Sequence, residues 1–169
     1  VATLESTFKG GDIAATAQAL GVLSKIPGPK AEAMLVDWAK NLKEGLVPLK
    51  LQLEVIEAAK ASKSGAVQTH LKAYMDALPK ERSVAAFPYL LVGGDTQAGK
   101  KVFFEHTAPQ CVRCHKIGGQ GSEVGPVLDG IASRQTREYL LESVLFPNNK
   151  IAPGFEMTTV TLKDGKTVS

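Results

Sequence analysis

The first half of the chain carries apolar residues at helical spacing in two rounds. Leu20, Val22, Leu23 and Ile26 lead to a break at Pro27, Gly28 and Pro29, after which Met34, Leu35, Trp38 and Leu42 recur on a helical period. Leu53, Val55, Ile56 and Ala59 follow the first group at an offset of 33, and Leu71, Tyr74 and Leu78 follow Leu35, Trp38 and Leu42 at an offset of 36, with a small insertion at 62–66. The pattern predicts two helix pairs. Met34, Trp38, Tyr74 and Met75 read as core residues, and His70 as a surface or internally satisfied histidine.

Two such pairs resemble a short α-solenoid of the HEAT kind, whose repeats cannot bury their apolar faces alone and need neighbours or a cap. The stretch 85–94 is too apolar for a solvated linker, because Phe87, Tyr89, Leu90, Leu91 and Val92 crowd it. It is expected to pack between the two halves.

Beyond it the pattern shortens. Residues 99–106 read as a helix capped by Asp95 or Thr96. A second helix starts at Thr136 as N-cap with Glu138 in its first turn, presents Leu140, Leu141, Val144 and Leu145 as an apolar face, and stops at Pro147. Residues 158–162 alternate β-branched positions and read as a strand entering a hairpin at 163–166. The chain is thus expected to be all-α, with a helical-repeat segment over 1–92 and a second domain over 93–169 that ends in a short strand or hairpin.

Composition adds bounds. With 169 residues, 44% of them hydrophobic, one or two modest cores can form. The longest apolar stretch, 84–92, is too short for a membrane span and is broken by Pro88. The net charge of +3 divides as +1 over residues 1–95 (11 basic, 10 acidic) and +2 over the rest (9 basic, 7 acidic), without a run of like charge, which argues against a nucleic-acid groove. The chain begins at Val1 and reads as a piece of a longer protein.

The chemistry concentrates in Cys111, Val112, Arg113, Cys114 and His115, which include both cysteines of the chain. Two thiols separated by two residues and followed by an imidazole suit covalent attachment of a c-type haem, one thiol to each vinyl group and the histidine to the iron. Three other readings compete. A redox pair would need a strand-to-helix turn, where a helix precedes the motif. A zinc site of Cys111, Cys114, His115 and His106 lacks a second ligand pair of the usual kind. A disulfide would close too small a loop to stabilise much.

Gly99 and Phe103, the Cys-x-x-Cys-His run, then Gly125, Pro126, Leu128 and Gly130, and finally Pro153, Gly154, Phe155 and Met157 follow the order of a class I cytochrome c, which residues 95–157 resemble. The phrases 99–106, 110–116, 124–130, 139–147, 151–157 and 160–166 are more closely similar to a haem-binding domain found in large multidomain proteins of planctomycetes and verrucomicrobia. The resemblance implies one covalently bound haem c held by Cys111 and Cys114, with His115 and Met157 as axial ligands. It further implies that the Pro126 carbonyl accepts a hydrogen bond from His115, that Phe103 and Leu128 belong to the haem-binding motifs, and that Phe155 packs on the porphyrin. One departure stands out: class I cytochromes follow the ligand methionine with a helix that crosses the Gly-x-x-x-Phe helix, where this chain has a strand.

These features together imply a monohaem electron-transfer module rather than an enzyme. The resemblance extends this to redox partners, a dehydrogenase domain as donor and a respiratory carrier as acceptor, and to a place in the periplasm or otherwise outside the cytoplasm. The alternatives are a haem-based sensor or enzyme with an open distal site, and a helical scaffold whose haem is structural. Carbon monoxide binding and reduction potential separate them.

Overall fold

The computed structural model describes residues 1–168, so Ser169, the last residue of the expected second domain, lies outside the described residues. The chain is mostly helical and divides into two compact units, residues 1–94 and 95–169, at the Gly94/Asp95 bond. No helix among the described residues is long and apolar enough to cross a membrane.

The first unit holds five helices: α1 (Ala2–Lys9), α2 (Ile13–Leu23), α3 (Pro29–Lys43), α4 (Leu49–Ala61) and α5 (Gly65–Ala77). Asp12 caps α2 by accepting from the Ala15 amide, Ser64 caps α5 by accepting from Val67, and Pro29 opens α3 at a position where its missing N–H costs nothing. α2 packs on α4 and α3 packs on α5, while α4 also touches α3 and α5.

Leu20, Leu23, Leu35, Leu42, Leu51, Val55, Ile56, Val67 and Leu71 form the core, and Tyr74 is buried among them with its hydroxyl 3.3 Å from Gln52 Oε1. Met34, Trp38 and Met75 are half-buried against that core. α1 lies on α2, and its Phe8 ring meets Trp38 edge-on at 5.3 Å.

The apolar stretch after α5 forms two 3₁₀ turns, Val84–Ala86 and Pro88–Leu90, the second packed on α4. Ala86 and Tyr89 are buried, and Tyr89 faces the rings of Tyr74 and Phe87 at centroid distances of 6.4 and 6.5 Å. The stretch expected as a junction is therefore built into the first unit's own core.

Among its described residues the second unit holds three further helices, α6 (Thr96–Glu105), α7 (Ile131–Arg134) and α8 (Arg137–Leu145), and two short hairpins. Asp95 caps α6 through the Gln97 and Ala98 amides, and Thr136 caps α8 through Tyr139. Strands β1 (Lys116–Ile117) and β2 (Gln120–Gly121) pair antiparallel, as do β3 (Val160–Thr161) and β4 (Thr167–Val168), the last pair being the expected C-terminal hairpin.

The expected apolar face of α8 needs a correction. Leu140, Leu141 and Leu145 are half-buried, but Val144 is 78% exposed. The chain after Pro147 folds back so that Lys150 and Asn149 bind Glu142 at 2.6 and 3.3 Å, which turns the Glu142 side inward. At 3.6 residues per turn, Val144 lies on the opposite side of the helix.

Candidate functional site

The Cys-x-x-Cys-His run forms a 3₁₀ turn, Cys111–Arg113, followed by an α-type bond. The Cys114 and His115 amides both donate to the Cys111 carbonyl, at 3.1 and 2.9 Å. The turn packs against α6 and β2. Both cysteines are free thiols, Cys111 half-buried and Cys114 exposed.

The turn starts from Gln110, at φ 45° and ψ 42°, the one non-glycine residue with positive φ among those described. Such a backbone costs about 1–3 kcal/mol and persists only where its surroundings fix it. Here the Gln110 side chain is held at both ends: its Nε2 donates to the Thr107 carbonyl at 2.6 Å, and its Oε1 accepts from Arg113 Nη1 at 2.5 Å. Sequence reasoning missed this residue, since glutamine carries no left-handed signal.

After His115 the chain turns back in the β1–β2 hairpin. Gly118 and Gly119, at φ 56° and 78°, make its two-residue turn, in which both positions need positive φ. The returning segment then lies along the motif: Ser122 N donates to Val112 O at 3.1 Å, Gly125 N to Cys114 O at 2.7 Å, and Leu128 N to Lys116 O at 2.9 Å. Lys116 Nζ pairs with Glu123 Oε1 at 2.6 Å; that bond and its charge raise the lysine and lower the glutamate from their ordinary values.

Two glycines make this approach possible. A Cβ on Gly121 would lie 2.1 Å from the His115 carbonyl oxygen, and one on Gly125 would lie 2.9 Å from the His115 ring at Cε1. Neither position tolerates a side chain without movement of His115.

His115 itself is half-buried, with Nδ1 2.8 Å from the Pro126 carbonyl oxygen. A carbonyl can only accept, so Nδ1 carries the proton, and in the neutral ring the lone pair is then on Nε2. That is the tautomer that ligation of a metal through Nε2 requires.

The other sequence-predicted residues are distributed as follows. Phe103 is half-buried on α6 and meets Phe104 edge-on at 4.9 Å, while Leu128 is half-buried beside the hairpin. Phe155 follows a turn at Ala152–Gly154 and is 42% exposed, and Met157, two residues on, is 85% exposed. The protein thus brings Cys111, Cys114, His115 and Pro126 together, and covers little of Met157. His106 closes α6 as its C-cap, exposed, with Nδ1 accepting from the Ala108 amide at 3.1 Å. Among the described residues no three histidine, cysteine, aspartate or glutamate side chains gather as an ion site would require.

The donor set fits a haem. Of the apolar side chains in residues 95–168, Phe146 alone is buried, whereas Val102, Val124, Val127, Ile151, Phe155 and Met157 are all substantially exposed. A unit of this size needs a core, and a large planar apolar group joined at Cys111 and Cys114 supplies one.

Comparison with known proteins agrees with this chemistry. Residues 96–165 match the family described as Cytochrome c. No curated protein and no solved structure matches the chain. A cytochrome c domain therefore lies within the second unit, and that family supports haem binding and electron transfer.

Proposed function

We propose that the chain is a monohaem c-type cytochrome module that transfers single electrons. The observation that carries this is the His115 Nδ1 to Pro126 carbonyl contact of 2.8 Å on a Cys-x-x-Cys-His turn whose thiols are free. Haem c, when bound, supplies a one-electron iron(III)/iron(II) couple. Cys111 and Cys114 would hold the haem through two thioethers, one to each vinyl group, by addition of S–H across a double bond that consumes no oxidant. Pro126 fixes the tautomer of His115 and makes it a stronger donor through Nε2.

In this reading Met157 would hold the iron together with His115, and its thioether would raise the potential and keep small gases from binding there. The exposure of Met157, at 85%, favours a second reading in which the distal side is open and the module senses or activates a small ligand. The strong order of motifs from Gly99 to Met157 supports the first.

The finer reading is a domain of the kind carried by large multidomain proteins of planctomycetes and verrucomicrobia, receiving electrons from an attached or partner dehydrogenase and passing them to a respiratory carrier. The order and spacing of its sequence phrases support it. The pairing of α2 with α4 and α3 with α5 supports a HEAT-like character for the first unit. Thioether attachment supports a place outside the cytoplasm.

The spectrum of the matured protein in alkaline pyridine, together with its intact mass, tests the proposal. Covalent haem c with two thioethers is expected, and Cys111→Ala combined with Cys114→Ala abolishes it. Haem that acidified organic solvent extracts from the unmodified protein overturns the reading.

A further inference from the structure

One side chain ties the hairpin turn to the segment that holds His115. Asp129 Oδ1 accepts from the Gly118 amide at 2.8 Å, and the Asp129 carbonyl accepts from Arg134 Nη1 at 2.8 Å, which roots the same residue on α7. From Gly118 to Leu128 the chain includes four glycines, Gly118 among them, and it must still hold the Pro126 carbonyl within hydrogen-bonding distance of one ring nitrogen. The bonds from Gly125 N to Cys114 O and from Leu128 N to Lys116 O anchor the segment beside Pro126. The bond to Gly118 anchors its far end, and a carboxylate accepting a backbone amide is among the stronger bonds of this type.

We propose that Asp129 is a positioning residue for His115: by locking the Gly118–Gly119 turn onto the Pro126 segment, it keeps the Pro126 carbonyl on Nδ1 and so sets the donor strength of the ring. This rests on the haem reading above. A firm Nδ1–H bond makes the imidazole more basic and favours ferric iron, so loosening it raises the reduction potential.

Removal of a negative charge near the iron also raises a potential, and Asp129 attracts Lys116 as well. Two variants separate these causes. Asp129→Ala removes charge and acceptor; Asp129→Asn removes the charge and keeps an oxygen at the same place.

The experiment measures hydrogen exchange at the Gly118 amide and the reduction potential in both variants, after covalent haem has been verified in the unmodified protein. Asp129→Ala is expected to speed Gly118 exchange about tenfold, the factor that accompanies loss of one bond of ordinary strength, and to raise the potential. Asp129→Asn, which keeps an acceptor for the Gly118 amide but loses the charge, is expected to move both clearly less than Asp129→Ala does. Faster exchange in Asp129→Ala with an unmoved potential makes Asp129 merely structural and overturns the proposal. A potential raised equally in both variants assigns the effect to charge and overturns it too. Absence of covalent haem from the unmodified protein overturns the functional reading, and this proposal with it.

Discussion

The ring of His115 sits against two consecutive residues: its Nδ1 is 2.8 Å from the Pro126 carbonyl, and its Cε1 lies where a Cβ on Gly125 would come within 2.9 Å. Hydrogen bond and steric wall act from the same piece of chain. The bond sets the tautomer, and the missing side chain sets how closely the segment approaches.

Gly125→Ala therefore overpacks a site that has no slack. The expected loss is about 1–3 kcal/mol, typical of a methyl group forced into a filled space. Denaturant unfolding followed at the haem Soret band measures it. Gly21→Ala is the control, since a Cβ there meets nothing within 4 Å and the residue is inside α2. Removing a helical glycine is expected to stabilise the first unit by about 0.5–1 kcal/mol.

The two rounds of apolar spacing in the first half of the chain differ at one informative pair. Val22 and Val55 stand 33 residues apart in equivalent positions, yet Val22 is 51% exposed and Val55 is fully buried. α4 is flanked by α2, α3, α5 and the Pro88–Leu90 turn, whereas α2 has α1 and α4. Val55→Ala is expected to cost about 2 kcal/mol, two lost carbon groups plus the cavity they leave. Val22→Ala is expected to stay within about 0.5 kcal/mol. Fluorescence of Trp38, the single tryptophan of the chain, reports both in urea.

That pair also shows what the sequence discloses. Helical period and the Pro27 to Pro29 break made α2 to α5 legible, because propensity, caps and apolar spacing agree there. Which copy of a repeated valine is covered depends on neighbours in space, and no local pattern holds that. α1 was not visible: Leu4 and Phe8 are too few to mark a face, and Val1 offers no capping side chain.

In the second unit the ligand motifs were legible because Cys-x-x-Cys-His and Gly-Pro carry their chemistry in residue type. The geometry that supports them was not. Gln110 adopts a left-handed backbone only because Thr107 and Arg113 hold its side chain, which is a tertiary fact. The Gly118–Gly119 turn, between Ile117 and Gln120, was a signal that could have been read as a hairpin.

The Lys116–Glu123 pair gives the returning segment a pH dependence of known sign. Its hydrogen bond, then its charge, hold the Glu123 carboxyl below its ordinary 4.5 and the Lys116 ammonium above its ordinary 10.5. A depressed acid stabilises the fold above its unfolded value and stops doing so as pH falls through the folded one. A raised base does so below its unfolded value and stops as pH rises through the folded one. The advantage of the unmodified protein over Glu123→Gln, measured as a difference in urea midpoint, is expected to be flat between those limits. It declines at both ends and shrinks with added salt, as for any exposed pair. An advantage that persists below the acid limit sinks this assignment.

Met157 separates the two functional readings most sharply. It follows Pro153 and Gly154 by a few residues, after a turn closed by Phe155 N on Ala152 O at 3.0 Å and by Gly154 N on Glu156 Oε2 at 2.8 Å. That turn shortens the loop and leaves an apolar thioether 85% exposed, an arrangement the protein alone does not reward. Ligation would cover it. With Met157 as the ligand, Met157→Ala keeps haem attached, lowers the potential and lets carbon monoxide bind the ferrous form within mixing time, whereas the unmodified protein binds it slowly. Equal, fast carbon monoxide binding by both proteins removes Met157 from the iron and leaves the open-site reading in its place.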